Sequence, residues 1–190
     1  MVLQNYLTLD QLLNLIEEPN QFSARKLLEE NKEIFTLAPG SGKNHQAWCG
    51  GYLDHVQETM NLAVQLYGVL DILRPLPFSL SDALVVMYLH DLEKPWKYCS
   101  SDTRIQAQLE EKTGRKQFRT DKIKACGFQL NEKHWNALEY VEGEHDYSPG
   151  ERKQLPLAAF CHMLDNWSAR GWHDYPLPED DPWKGAMRRK

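Results

Sequence analysis

The feature that most constrains this chain is a run of seven apolar residues, Ala83 to Leu89, followed without a spacer by His90 and Asp91. A segment with no polar face belongs in a protein interior. Ser79 or Ser81 offers an N-cap and Asp82 an acidic first turn, so the run is expected as a central helix rather than a buried strand, stopped by Pro95. An imidazole and a carboxylate at the end of a buried element are costly unless something pairs them. A metal ion satisfies both. The chain holds three His-Asp pairs, at 90-91, 145-146 and 173-174, against about 0.4 expected by chance. Only the first closes a long apolar run.

The rest of the chain carries helical patterns and almost no strand candidates. Thr8 with Gln11 reads as a capping box opening a short helix to Glu18, and Asn20 opens a second to about Phe35. Gly50-Gly51 precedes the longest periodic segment, 52–72, where Leu53, Val56, Met60, Ala63, Tyr67 and Leu70 form a core stripe with His55 one residue off it. Residues 94–98 are expected as a loop. The polar stretch 101–124 holds the basic cluster Lys112, Arg115, Lys116, Arg119, Lys122 and Lys124, whose ordinary reading is a solvated helix face. Asn131 caps a helix ending near Gly143. Pro156 suits the first position of another, 157–170, closed by Gly171, which carries His162 and Asp165 on one face. Gly40-Ser41-Gly42-Lys43 is not a phosphate loop, because Leu37 stands where a glycine is needed and Asn44 where Ser or Thr is.

These patterns predict an all-α fold, a single bundle of about six to eight helices. Its parts would be N-terminal helices over 1–45, a body over 46–171 and an irregular tail over 172–190. With 190 residues, 42% hydrophobic and 26% charged, one domain with a proper core is expected. No apolar run approaches the roughly 20 residues of a membrane span, and the first residues lack the basic start and apolar centre of a secretory signal. Four scattered cysteines (Cys49, Cys99, Cys126, Cys161) read as thiols, Cys126 and Cys161 as buried ones. A cytoplasmic setting without a membrane partner is the expectation. The net charge of −5 argues against a general nucleic-acid coat while leaving room for a local basic patch.

Three apolar helices thus each carry polar groups that look buried: His55, His90-Asp91, and His162 with Asp165. Mixed imidazole and carboxylate donors suit Mn, Fe, Co, Ni or Zn better than Ca. Two His and two Asp hold one ion while leaving positions for water and a phosphate oxygen. The order His … His-Asp … Asp resembles the HD superfamily of metal-dependent phosphohydrolases, over roughly residues 50–170. The stretch His45-Gln-Ala-Trp-Cys-Gly-Gly-Tyr-Leu-Asp-His55 is similar to the opening of a subgroup that includes a bacterial 3′-to-5′ exoribonuclease. His90-Asp-Leu-Glu-Lys94 resembles the family's His-Asp-Ile-Gly-Lys, and Cys161-His-Met-Leu-Asp-Asn166 its closing His-x-x-Asp-Asn.

The resemblance implies an HD domain in which His55, His90, Asp91 and Asp165 bind a divalent ion (Mn, Fe, Co, Ni, Zn or Mg), with His145 near a second one. It makes Asp91 and Lys94 catalytic, and turns His45, Lys94, His145 and His162 toward substrate. Two departures stand out. Glu93 occupies the family's Gly position, and the Gly-His before the later helix is missing, with Thr120-Asp121 nearby. A second metal would need Asp121 or another residue, so one ion is expected. The implied activity is hydrolysis of a phosphate ester of a nucleotide or related small molecule. The alternatives are a phosphodiesterase or nuclease on single-stranded nucleic acid and a non-catalytic, metal-containing nucleotide-binding module. Two-iron oxygen chemistry is least favoured, since it relies on the missing histidine.

Overall fold

In the computed structural model, which describes residues 4–144 and 153–189, every regular element is helical. In chain order these are α1 (Leu9–Leu13), α2 (Asn20–Glu30), α3 (Lys32–Leu37), α4 (Gly51–Leu73), α5 (Leu80–Leu89), α6 (Lys94–Cys99), α7 (Thr103–Glu110), α8 (Lys112–Ala125), α9 (Glu132–Tyr140) and α10 (Pro156–Asn166), the last running on into a π-helical turn, Trp167–Gly171. The fold is all-α, and no described residue lies in a strand. No helix among the described residues is long and apolar enough to cross a membrane.

The center is α5. Ser79 accepts from the Asp82 amide and Asp82 from the Ser79 amide, a reciprocal cap that fixes where the helix begins. Every side chain from Ala83 to Leu89 is at most 1% exposed. Each large aliphatic among them contributes about 1.5–3 kcal/mol by leaving water. Together they outweigh the several kcal/mol that one buried ion costs, so the core tolerates polar groups at the helix end. α5 packs on α2, α4, α9 and α10, and His134 of α9 reaches Asp82 at 2.9 Å.

Three segments depart from the sequence expectation, the first being the opening helix, which ends at Leu13 instead of reaching Glu18. The helix expected from Asn20 to Phe35 breaks at Asn31, whose amide returns to Leu28 and whose side chain donates to the Leu27 carbonyl at 2.9 Å. Asn competes in this way for backbone groups that would otherwise continue a helix. Residues 94–98, expected as a loop, belong to α6, with Pro95 in its first turn. A missing N–H costs nothing there, because first-turn amides have no helical acceptor.

The loop before α4 is held close by two glycines for different reasons. Gly50 has φ +81°, the left-handed region. At Gly51 a Cβ would lie 1.8 Å from the Gln46 carbonyl oxygen, so only glycine lets that loop touch the helix. The tail from Trp172 onward then covers the start of α4. The Arg189 guanidinium pairs with the fully buried Asp54 at 2.6 Å, Arg188 lies 3.8 Å over the Trp48 ring, and the Tyr6 amide donates to the Lys184 carbonyl.

Candidate metal centre

Four side chains from three parts of the chain meet at the end of α5. His55 comes from α4, His90 and Asp91 from the turn after α5, and Asp165 from α10. His55 Nε2 is 3.2 Å from His90 Nε2, 3.1 Å from Asp165 Oδ1 and 3.5 Å from Asp91 Oδ2. His90 Nε2 lies 3.3 Å from Asp91 Oδ2 and 3.5 Å from Asp165 Oδ1. Neighbouring ligands of an ion bonded at about 2.0–2.2 Å are separated by about 3.0–3.5 Å, from octahedral to tetrahedral angles. These five pairs therefore have the spacing of neighbouring ligands, the donors fall into two overlapping triads, His55–His90–Asp165 and His45–His55–Asp91, and their chemistry suits a first-row transition ion.

The far side of each ring decides which nitrogen is free. His90 Nδ1 lies 2.8 Å from the Met87 carbonyl, which only accepts, so Nδ1 carries the hydrogen. Ser168 donates its hydroxyl to Glu58 Oε2, so its oxygen accepts from His55 Nδ1 at 3.1 Å. Both rings are thus held by Nδ1 with Nε2 turned toward the carboxylates, the arrangement that orients histidine ligands in metal sites. Gln46 completes this support, its amide donating to Glu58 Oε2 at 3.1 Å and to the Tyr175 carbonyl at 3.2 Å. Its backbone has φ +40°, unusual for a residue with a side chain, where strain is tolerated because the surroundings hold it.

Charge is unevenly shared in the cluster. Burial disfavours ionised Asp91 and Asp165, but Lys94 and the histidines beside Asp91, and His55 and His90 beside Asp165, hold both carboxyls below the usual range. Burial also disfavours protonated His90, yet the two carboxylates outweigh it and raise the group to about 10. For His55 burial prevails and the pKa is lowered. With Nδ1 already carrying a hydrogen, that extra proton belongs to Nε2, and metal coordination would displace it. Asp91 Oδ2 has an ion-pair contact of 2.5 Å with Lys94 but no hydrogen bond of good geometry. That oxygen is a buried acceptor held between the Lys94 ammonium and the two histidine rings.

Lys94 also lies 3.2 Å from His45 Nε2. Burial and the Lys94 charge lower His45 to about 3, so it is a neutral acceptor. Ser41 binds the amides of Asn44 and His45 and so places this histidine. The cluster opens on a pocket of about 820 Å³ lined by Lys43, Asn44, His45, Glu142, His162, Asp165, Asn166, Ala169, Arg170 and His173. His162 Nδ1 faces the Val141 carbonyl at 2.6 Å. His145 lies outside the described residues.

The residues named from the sequence thus separate. His45, His55, His90, Asp91, Lys94 and Asp165 are together, and His162 lines the adjoining pocket. Asp121 is exposed, accepting from Gln117, and Glu93 turns to Arg119 at 3.5 Å instead of the cluster. Gln46, Glu58, Ser168, Lys43 and Arg170 were not identified as site residues from the sequence. The first three support ligands through contacts that span up to 122 residues, and no local pattern announces such pairs. No family model, curated protein or solved structure matches the chain.

Proposed function

We propose that the protein is a metal-dependent phosphohydrolase of the HD type, cleaving a phosphate ester of a nucleotide or a similar small molecule. The observation that carries this reading is the convergence of four donors at 3.1–3.5 Å beside a lysine and a wide polar pocket. A divalent ion, when bound, supplies Lewis acidity toward a phosphoryl oxygen and acidifies a water. Asp91, ionised and fixed by Lys94, orients the attacking water. Lys94 neutralises charge that grows on the phosphoryl oxygens. His45 accepts a hydrogen bond from Lys94 and keeps it turned to the site. Lys43 and Arg170, exposed cations of the pocket, suit the remaining anionic part of the substrate.

A pocket of about 820 Å³ lies within the usual range for small ligands. The alternative of a strand-tracking nuclease loses support because the basic cluster is largely used inside the fold. Arg115 donates to the Leu109 and Glu110 carbonyls that end α7, Lys116 pairs with Glu139, Arg119 is buried, and Lys122 lies 4.5 Å from the Trp96 ring center. Only Lys112 and Lys124 of that group are exposed.

The test is a panel of phosphorylated nucleotides, sugar phosphates and diesters, assayed with Mn, Mg, Co and Zn. Turnover by wild type that Asp91→Ala abolishes is expected. Equal, near-zero turnover of both across the panel would favour the non-catalytic module, with ligand binding visible only as thermal stabilisation. Tight single-stranded RNA binding with a steep salt slope would restore the nuclease.

A further inference from the structure

A second cavity, of about 540 Å³, lies along α4 beyond Glu58 and shares no lining residue with the pocket at the cluster. Its walls are aromatic and aliphatic. Trp183 stands edge-on to Tyr6 at 5.1 Å and to Trp172 at 6.2 Å between ring centers, and Leu62 and Leu66 close the α4 side.

Two polar atoms at this cavity take no part in supporting the metal cluster, the Tyr6 hydroxyl and Glu58 Oε1. The Tyr6 hydroxyl is buried without a hydrogen-bond partner, in a side chain 6% exposed. Glu58, 2% exposed, directs both of its hydrogen bonds through Oε2, from Ser168 and Gln46, which leaves Oε1 unengaged among the described residues. Buried polar atoms in native proteins nearly always have partners, so the Tyr6 hydroxyl is an exception that calls for one. The surrounding charge is negative. Asp181 lines the same cavity, and Asp54 and Asp174 also act on Glu58; Arg189 is committed to Asp54, and Lys184 stands exposed at the rim.

We propose that this cavity is a second ligand site, for an organic cation consisting of a protonated amine on an apolar body. The ammonium would lie between Glu58 Oε1 and the Tyr6 hydroxyl, and the apolar body against Trp172, Trp183 and Leu66. Aromatic faces attract cations once water is excluded, and a charge-assisted hydrogen bond to a buried carboxylate is among the stronger polar contacts. Burial raises Glu58 to about 8, against the opposing Ser168 bond. A bound cation supplies the countercharge that an ionised Glu58 needs in this buried position. The proposal is independent of hydrolysis at the metal cluster.

The test uses the full chain without added metal, phenethylammonium chloride as the probe and 2-phenylethanol as its neutral counterpart, followed through the indole N–H resonances of Trp172 and Trp183. The amine should shift both resonances saturably below about 10 mM, an ordinary affinity for a ligand of this size. The alcohol, and the amine with Glu58→Gln, should bind at least about tenfold more weakly. Leu66→Trp, which fills the cavity, should abolish the shifts. No saturable shift by about 10 mM, or equal affinities for amine and alcohol, would overturn the proposal. If Glu58→Gln does not fold, the amine-to-alcohol ratio in wild type still decides.

Discussion

His55 and His90 face each other through their Nε2 atoms at 3.2 Å, while each Nδ1 is tied to an acceptor behind it. Two nitrogen lone pairs at that distance repel unless a proton or a cation stands between them. The two carboxylates that converge on the same point, Asp91 and Asp165, make a cation the natural occupant. The arrangement is enforced by the Met87 carbonyl on one side and by Ser168 and Glu58 on the other.

Ser168→Ala removes the hydroxyl that orients His55 but leaves every donor atom of the cluster in place. Metal affinity should fall about 10- to 100-fold, the usual effect of losing a partner behind a ligand, with the fold intact. A competition titration against a chelator measures it. An unchanged affinity would show that Ser168 does not position His55.

Lys94→Ala should retain the ion and lower kcat by about 10²–10³, because its ammonium acts on charge that develops in the transition state. Parallel metal analysis and steady-state kinetics separate the two effects. Loss of the ion together with activity would make Lys94 a structural partner of Asp91 instead.

How much of this could be read from the chain depends on the range of the contacts. The apolar run of α5 and the positions of His55 and Asp165 on apolar helices are expressed in spacing along one helix, so they were legible. The all-α class followed from the same periodicity. Glu58 looked like an ordinary polar residue of α4, because its partners Gln46 and Ser168 lie 12 and 110 residues away. Pro95 misled for a local reason: the same residue stops a helix in its interior and opens one in its first turn. Arg119 reads in the sequence as one of a cluster of surface cations, yet it is buried and donates to the carbonyls of His90 and Leu138.

That placement gives Arg119→Ala a large expected cost. The substitution strands the His90 and Leu138 carbonyls and leaves the buried Glu93, 3.5 Å away, without its cation. Breaking one side of a buried pair costs about 3–5 kcal/mol, readable as a shift in urea midpoint. Glu93→Gln added to Arg119→Ala should recover part of it. A loss below about 0.5 kcal/mol would return Arg119 to the solvated face.

Glu58 makes stability depend on pH. Burial raises it from 4.5 to about 8, so between those values the folded state holds a proton that the unfolded state releases. Its stabilising contribution is full below about 4.5, declines as pH rises and is lost above about 8. Glu58→Gln, which cannot ionise, should flatten that part of the stability profile of metal-free protein. Denaturation midpoints from pH 5 to pH 9 measure it, and identical slopes in the two proteins would contradict the assignment.

The central claim is that His55, His90, Asp91 and Asp165 hold one divalent ion. Titrating metal-free protein with Co²⁺ tests it most directly, since cobalt bound by imidazole and carboxylate gives visible absorption bands. Wild type should saturate near one equivalent, Asp165→Ala and His90→Ala should lose the bands, and acidification to about pH 4 should abolish them in wild type because imidazole coordinates only when neutral. A wild type that takes up no ion, or variants that bind as tightly as wild type, would contradict it.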